Sequence, residues 1–132
     1  MPMTPRWYND EKTVYIFHFT ENGLRDWDEY RQKIAIGMQE ISQVDHPIVM
    51  LFDPLYRAMP SGNPLPHLRY AFAAKPDHVV AAISIVHNRF AIASMNWIKR
   101  LGFYTWFHMV DSYEEAQQII DDVLEDTKLP SN

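Results

Sequence analysis

A chain of 132 residues with 47% hydrophobic, 22% charged and 14% aromatic content has ordinary globular proportions and enough apolar mass for one core, which argues against a disordered chain. It has no cysteine, so disulfide frameworks, thiolate nucleophiles and thiolate metal sites drop out and a reducing, cytoplasmic setting is expected. Lys and Arg total 12 against 17 Asp and Glu, a net charge of −5, and the cations are scattered, which argues against nucleic acid and against a polybasic membrane anchor.

The start of the chain lacks an apolar signal core, and no run approaches the roughly 18 apolar residues of a membrane span, so neither export nor membrane insertion is expected. Arg6-Trp7-Tyr8, a polar turn over 9–12, and the β-branched and aromatic run Thr13–Phe19 predict an opening hairpin. In the second strand Val14, Ile16 and His18 share one face and Tyr15, Phe17 and Phe19 the other, as in a central strand covered on both sides.

The spacing Leu24, Trp27, Arg31, Ile34, Met38, Ile41 predicts an amphipathic helix ending near Ser42. Asp45-His46-Pro47 stops it, and Ile48–Phe52 reads as a buried strand. A loop from Asp53 leads to Asn63-Pro64, a helix cap and first position, followed by an apolar face of Leu65, Leu68 and Phe72. His78–Val86 is another apolar, β-branched run.

From Arg89 to Leu101 the apolar set Ala91, Met95 and Ile98 faces one way with Phe90, Trp97 and Leu101 beside it, leaving Arg89, Asn96, Lys99 and Arg100 as a polar stripe. Gly102 suits a helix terminator, Tyr104–Val110 alternates as a strand, and Ser112-x-x-Glu115 forms a capping box for a last helix that buries Ala116, Ile119, Ile120 and Val123. A short polar tail runs from Lys128. The fold expected is one α/β domain: a mixed sheet of about five strands, hairpin first and then parallel crossovers, packed with four helices.

This order resembles the STAS domain of bacterial anti-sigma-factor antagonists, in its single-domain bacterial form. The landmarks are Trp7-Tyr8-Asn9 followed by Thr13-Val14-Tyr15-Ile16, Trp27-Asp28 opening the first long helix, and Tyr113-Glu114-Glu115-Ala116 opening the last. The resemblance implies a non-catalytic regulatory module that binds another protein or a second copy of itself. Phosphorylatable members carry Asp-Ser-Ser/Thr-Gly after the third strand. Here that stretch keeps Ser61-Gly62 but has Pro60 in place of the aspartate, so Ser61 is the implied phosphosite on an altered loop.

The histidines are His18, His46, His67, His78, His87 and His108, and none forms a tight metal-binding pair. His18 and His108, both on expected strands, are the best candidates for chemistry, against the ordinary reading of hydrogen-bonded core histidines. Asp53 lies past the end of a parallel strand, where α/β sheets place ligands, and with Ser61, His87 and Arg89 it outlines a candidate crevice for a small molecule. There is no Gly-x-Ser-x-Gly elbow, no Gly-x-Gly-x-x-Gly and no phosphate-cradling loop, and no metal or cofactor is implied. Tyr56, Met59, Phe90, Trp97 and Leu101 exceed what the core needs and form the candidate protein interface. The leading expectation is therefore an interaction module without enzymatic activity. The alternative is a small-molecule-binding protein or enzyme at the strand ends.

Overall fold

In a computed structural model that describes residues 3–19, 26–53, 65–86 and 89–128, the first turn is set by Asn9. Its side-chain oxygen accepts from the N–H of Thr13 at 3.0 Å and of Val14 at 3.3 Å, and its amide donates to the Thr13 hydroxyl at 2.6 Å. Lys12 takes a left-handed conformation, φ 56°, which the side-chain-bridged turn holds in place. The turn joins β1 (Met3–Trp7) to β2 (Val14–Phe19) in an antiparallel pair with Arg6 opposite Ile16 and Trp7 opposite Tyr15. The first strand thus starts earlier than expected, and Tyr8 belongs to the turn, its N–H donating to the Val14 carbonyl at 2.8 Å.

Helix α1 (Trp27–Ile41) is capped by Asp26, whose carboxylate accepts from the Glu29 N–H at 2.8 Å, with Asp28 and Glu29 complementing the positive end of the helix. It starts after the cap, so Leu24 lies outside the described residues. Its buried residues are Tyr30, Ile34, Gly37, Met38 and Ile41 together with the charged Glu29 and Lys33. That is a rotation from the expected face: Arg31 sits at the edge, its guanidinium 4.8 Å from the centre of the Tyr70 ring.

The remaining elements follow as β3 (Ile48–Asp53), α2 (Leu65–Ala73), β4 (Val79–Ile85), α3 (Arg89–Arg100), β5 (Phe107–Val110) and α4 (Tyr113–Lys128). The expected cap at Asn63-Pro64 and the tail beyond Lys128 lie outside the described residues. The sheet has five strands in the order β1-β2-β3-β4-β5, with β1 antiparallel and the rest parallel. Each parallel crossover steps the same way, and right-handed crossovers then set α1, α2 and α3 on one face. Helix α4 takes the other.

The two faces have separate cores. Tyr15, Phe17, Met50, Phe52, Ala82 and Phe107 pack against Tyr30, Ile34, Met38 and Ile41 of α1 and Ala71 of α2. On the opposite side Val14, Ile16, Val49, Leu51, Ala81 and Ile83 pack against Ala116 and Ile120 of α4. Each such buried large side chain contributes roughly 1.5–3 kcal/mol.

Two ends of elements differ from the expected pattern for identifiable reasons. Helix α3 closes in a Schellman motif: Gly102, φ 92°, donates to the Lys99 carbonyl at 2.9 Å and Phe103 to that of Ile98 at 3.4 Å. Tyr104 then takes φ 49° and its carbonyl accepts from the Phe107 N–H at 2.9 Å, so a turn occupies the stretch expected to begin the strand. The capping box before α4 is present in its first half, with the Glu115 N–H on the Ser112 hydroxyl at 3.1 Å.

Gly37 lets α1 sit close on the sheet. A Cβ there would run into the ring of Phe17 and lie 3.0 Å from Tyr15, and the Phe17 ring is itself stacked on Phe52 with centroids 4.9 Å apart. Gly37→Ala gains helix propensity of about 1 kcal/mol but overpacks this contact at a cost of about 1–3 kcal/mol, so net destabilisation is expected. Urea denaturation checks it; an unchanged or raised midpoint would show that α1 has room to retreat.

Candidate functional site

Strands β2 and β3 end in a polar pair. His18 stands directly opposite Asp53 in the parallel register, on the same side as Val14, Ile16, Val49 and Leu51, that is, on the face covered by α4. His18 Nδ1 lies 3.0 Å from Asp53 Oδ2, and the hydroxyl of Tyr113, the first residue of α4, donates to the same oxygen. The Asp53 side chain is 10% exposed and that of His18 38%. An ionised Asp53 makes Nδ1 the donor, which leaves Nε2 of the neutral ring as an acceptor.

The phenol of Tyr113 holds its proton well above the ordinary range. Burial is the largest cause, followed by its hydrogen bond to Asp53 and the negative charge there, with Arg6 acting in the opposite direction. Arg6 lies on β1, on the same face of the sheet, two residues along from the position opposite His18.

The expected crevice is therefore composed differently. Asp53 is turned toward His18 and Tyr113, neither of which was in the set with Asp53, Ser61, His87 and Arg89. Arg89 stands exposed at the start of α3, while Ser61 and His87 lie outside the described residues. Tyr113 was missed because it was seen only as a helix opener. A parity argument places His18 and Asp53 on one face if β2 and β3 are neighbours, but their register is a tertiary property.

The other histidines have structural partners. His46 Nε2 is 2.7 Å from the Lys12 carbonyl and His78 Nε2 is 2.9 Å from that of Ile41, so both tie elements together. His108 Nδ1 accepts from Lys99 Nζ at 2.7 Å. Burial first, and the Lys99 charge second, lower the proton affinity of His108. Lys99 accordingly leaves the polar stripe expected for α3. Among the described residues no group of three His, Cys, Asp or Glu is placed to hold a metal ion, and no helix is long and apolar enough to cross a membrane.

A second feature lies on α3. Phe90 is 82% exposed, Trp97 60% and Leu101 57%, followed by Phe103 at 60%. Phe90, Trp97 and Leu101 are spaced to stack along one side of the helix, while Met95 packs toward the sheet. Phe90, Ala93, Ser94, Trp97 and Ile98 line an open groove of about 360 Å³. Helical geometry sets Arg89 and Arg100 along one flank of this stripe. Tyr56 and Met59, the other expected interface residues, lie outside the described residues.

No family model matches the chain, and neither a curated protein nor a solved structure is significantly similar to it.

Tyr15 and Tyr30 resemble Tyr113: burial raises both phenols, and for Tyr15 a hydrogen bond to Glu40 at 2.6 Å adds to it. In the unfolded chain phenols ionise near about pH 10, whereas these remain protonated when folded. Above that pH the unfolded state binds fewer protons than the folded state, so stability falls as pH rises. Denaturation midpoints should drop from about pH 10 upward, less steeply in Tyr113→Phe. Midpoints that stay level there would contradict the assigned environments.

Proposed function

We propose that the chain is a non-catalytic regulatory module of the STAS type that acts by binding another protein through the outer side of α3. The order of elements supports the first part: an opening hairpin followed by parallel crossovers, with four helices packed on the sheet, is what the resemblance leads one to expect. The exposed stripe of Phe90, Trp97 and Leu101 carries the second. Large apolar side chains gathered in one exposed patch with flanking arginines have the composition of an interface core.

Charge selects the occupant. Helix α3 carries Arg89, Lys99 and Arg100 and no acidic residue, in a chain whose net charge is −5. Two copies pairing antiparallel through α3 would set Arg89 of one near Arg100 of the other. The described acidic helix α4 presents glutamines and carboxylates outward, without apolar anchors to fill the groove. A partner that offers an apolar ridge flanked by carboxylates, such as an acidic amphipathic helix, meets both requirements.

Truncating a central interface tryptophan typically costs 2 kcal/mol or more, so Trp97→Ala should weaken partner binding by about 30-fold or more while leaving the fold intact. The test combines light scattering of the purified chain with affinity capture from its native host, using wild type and Trp97→Ala at low and raised salt. The expected result is a monomer that retains one partner, which is lost on Trp97→Ala and weakened by salt. A monomer that retains nothing dependent on Trp97 overturns the proposal. A dimer dissolved by Trp97→Ala overturns the acidic partner in favour of a second copy.

A further inference from the structure

Lys99 and His108 make a pair that neither the apolar stripe of α3 nor the Asp53 cluster uses. Near the end of α3, Lys99 Nζ lies 2.7 Å from Nδ1 of His108 on β5, and both side chains are partly exposed. The contact fixes the tautomer: the ammonium donates to Nδ1, so the imidazole is neutral and carries its proton on Nε2. Helix α3 rests mainly on β5, and neither element holds a carboxylate that would retain the ammonium proton. The carboxylates of α4, on the far side of β5, are exposed, and Asp121 and Asp122 accept from Gln117 and Gln118.

Other lysines of the chain stand in different surroundings. Lys75 Nζ donates to the Val79 carbonyl at 3.0 Å and lies 4.9 Å from the centre of the Trp106 ring, two contacts that favour the charged form. Lys33 is buried on α1, and Lys12 is exposed in the first turn. For Lys99, burial lowers the proton affinity of the amine, and its nearby charges are the cations Arg89 and Arg100 of the same helix, with the phenol of Tyr104 in the turn that follows. A lysine made less basic by burial and set against a base has the two features of an activated amine nucleophile. We propose that Lys99 is an acylation site, its amine taking the acyl group of a small activated donor, an acyl phosphate or a thioester, while His108 receives the proton.

The step balances with these two groups and the donor. The neutral amine of Lys99 attacks the acyl carbon and an N–C bond forms. The bond from that carbon to the phosphate oxygen or the thioester sulfur breaks, and the leaving group departs with the electron pair. The nitrogen sheds one proton, which Nδ1 of His108 accepts at hydrogen-bond distance and passes to solvent. Burial, and then the Lys99 charge, lower the proton affinity of His108, which keeps its ring free to act as that base near neutral pH. The product is an uncharged amide, so acylation removes one of the three cations of α3.

The test treats the full chain with acetyl phosphate and, separately, with an uncharged acetyl thioester, and follows acetylation of each lysine by peptide mass spectrometry between about pH 6 and about pH 9. With at least one donor, Lys99 should be labelled about fivefold or more faster than Lys12 near neutral pH, its rate rising less steeply with pH. Faster labelling by acetyl phosphate assigns an anionic donor and by the thioester an uncharged one; either supports the site. His108→Gln, its fold checked by circular dichroism, should slow Lys99 about fivefold or more and leave Lys12 unchanged. Trp97→Ala should leave both rates unchanged, which keeps this proposal separate from the α3 interface. Lys99 labelled no faster than Lys12 by either donor, a comparison made within one wild-type molecule, overturns the proposal, as does an undiminished Lys99 rate in folded His108→Gln.

Discussion

One constraint of chain topology accounts for most of what this molecule presents to solvent. The strands pair in the order in which they occur, and the right-handed crossover that parallel strands follow as a rule commits the three helices between strands to the same face. Only α4 remains for the other. The central strands are nevertheless buried on both sides, as β3 shows over its whole length, because β2, β3 and β4 carry apolar residues in both parities.

The same constraint leaves two regions incompletely covered. On the face of α4, a single helix packs on β3, β4 and β5, and the β1–β2 side retains the polar residues Arg6 and His18, the latter joined to α4 through Asp53 and Tyr113. On the opposite face α1 and α2 pack against each other, but α3 is the last of the row and rests mainly on the short edge strand β5. Its outer side has no neighbour among the described elements, and that is where Phe90, Trp97 and Leu101 are exposed. Polar chemistry and apolar surface are thus separated by the thickness of the sheet, which allows a contact at one to form without disturbing the other.

Much of the architecture was legible in the sequence because it rests on local periodicity. The apolar runs of β3 and β4, the amphipathic repeats of α1, α3 and α4, and Gly102 as a terminator all declare themselves within a few residues. What escaped was tertiary in origin. The buried stripe of α1 is rotated from the one read by counting apolar residues, because Gly37, not a large side chain, makes the closest approach to Phe17. The alternation of Tyr104 to Val110 is a strand pattern, yet the left-handed Tyr104 converts its first half into a turn. Asp53 and His18 were each singled out, but only the β2–β3 register pairs them, and nothing local marks Tyr113 as their third member. Phe90, Trp97 and Leu101 were separable from the core set because their angular positions on the helix differ from that of Met95.

The account depends most on α3 having a side that the fold itself leaves open. Hydroxyl-radical footprinting of the purified chain, read residue by residue by mass spectrometry, measures this directly. Phe90 and Trp97 should be modified at rates near those of fully exposed aromatics, while Phe17 and Phe52 stay protected. Protection of Phe90 and Trp97 in the monomeric chain would contradict the account, because some part of the chain itself would then cover that side.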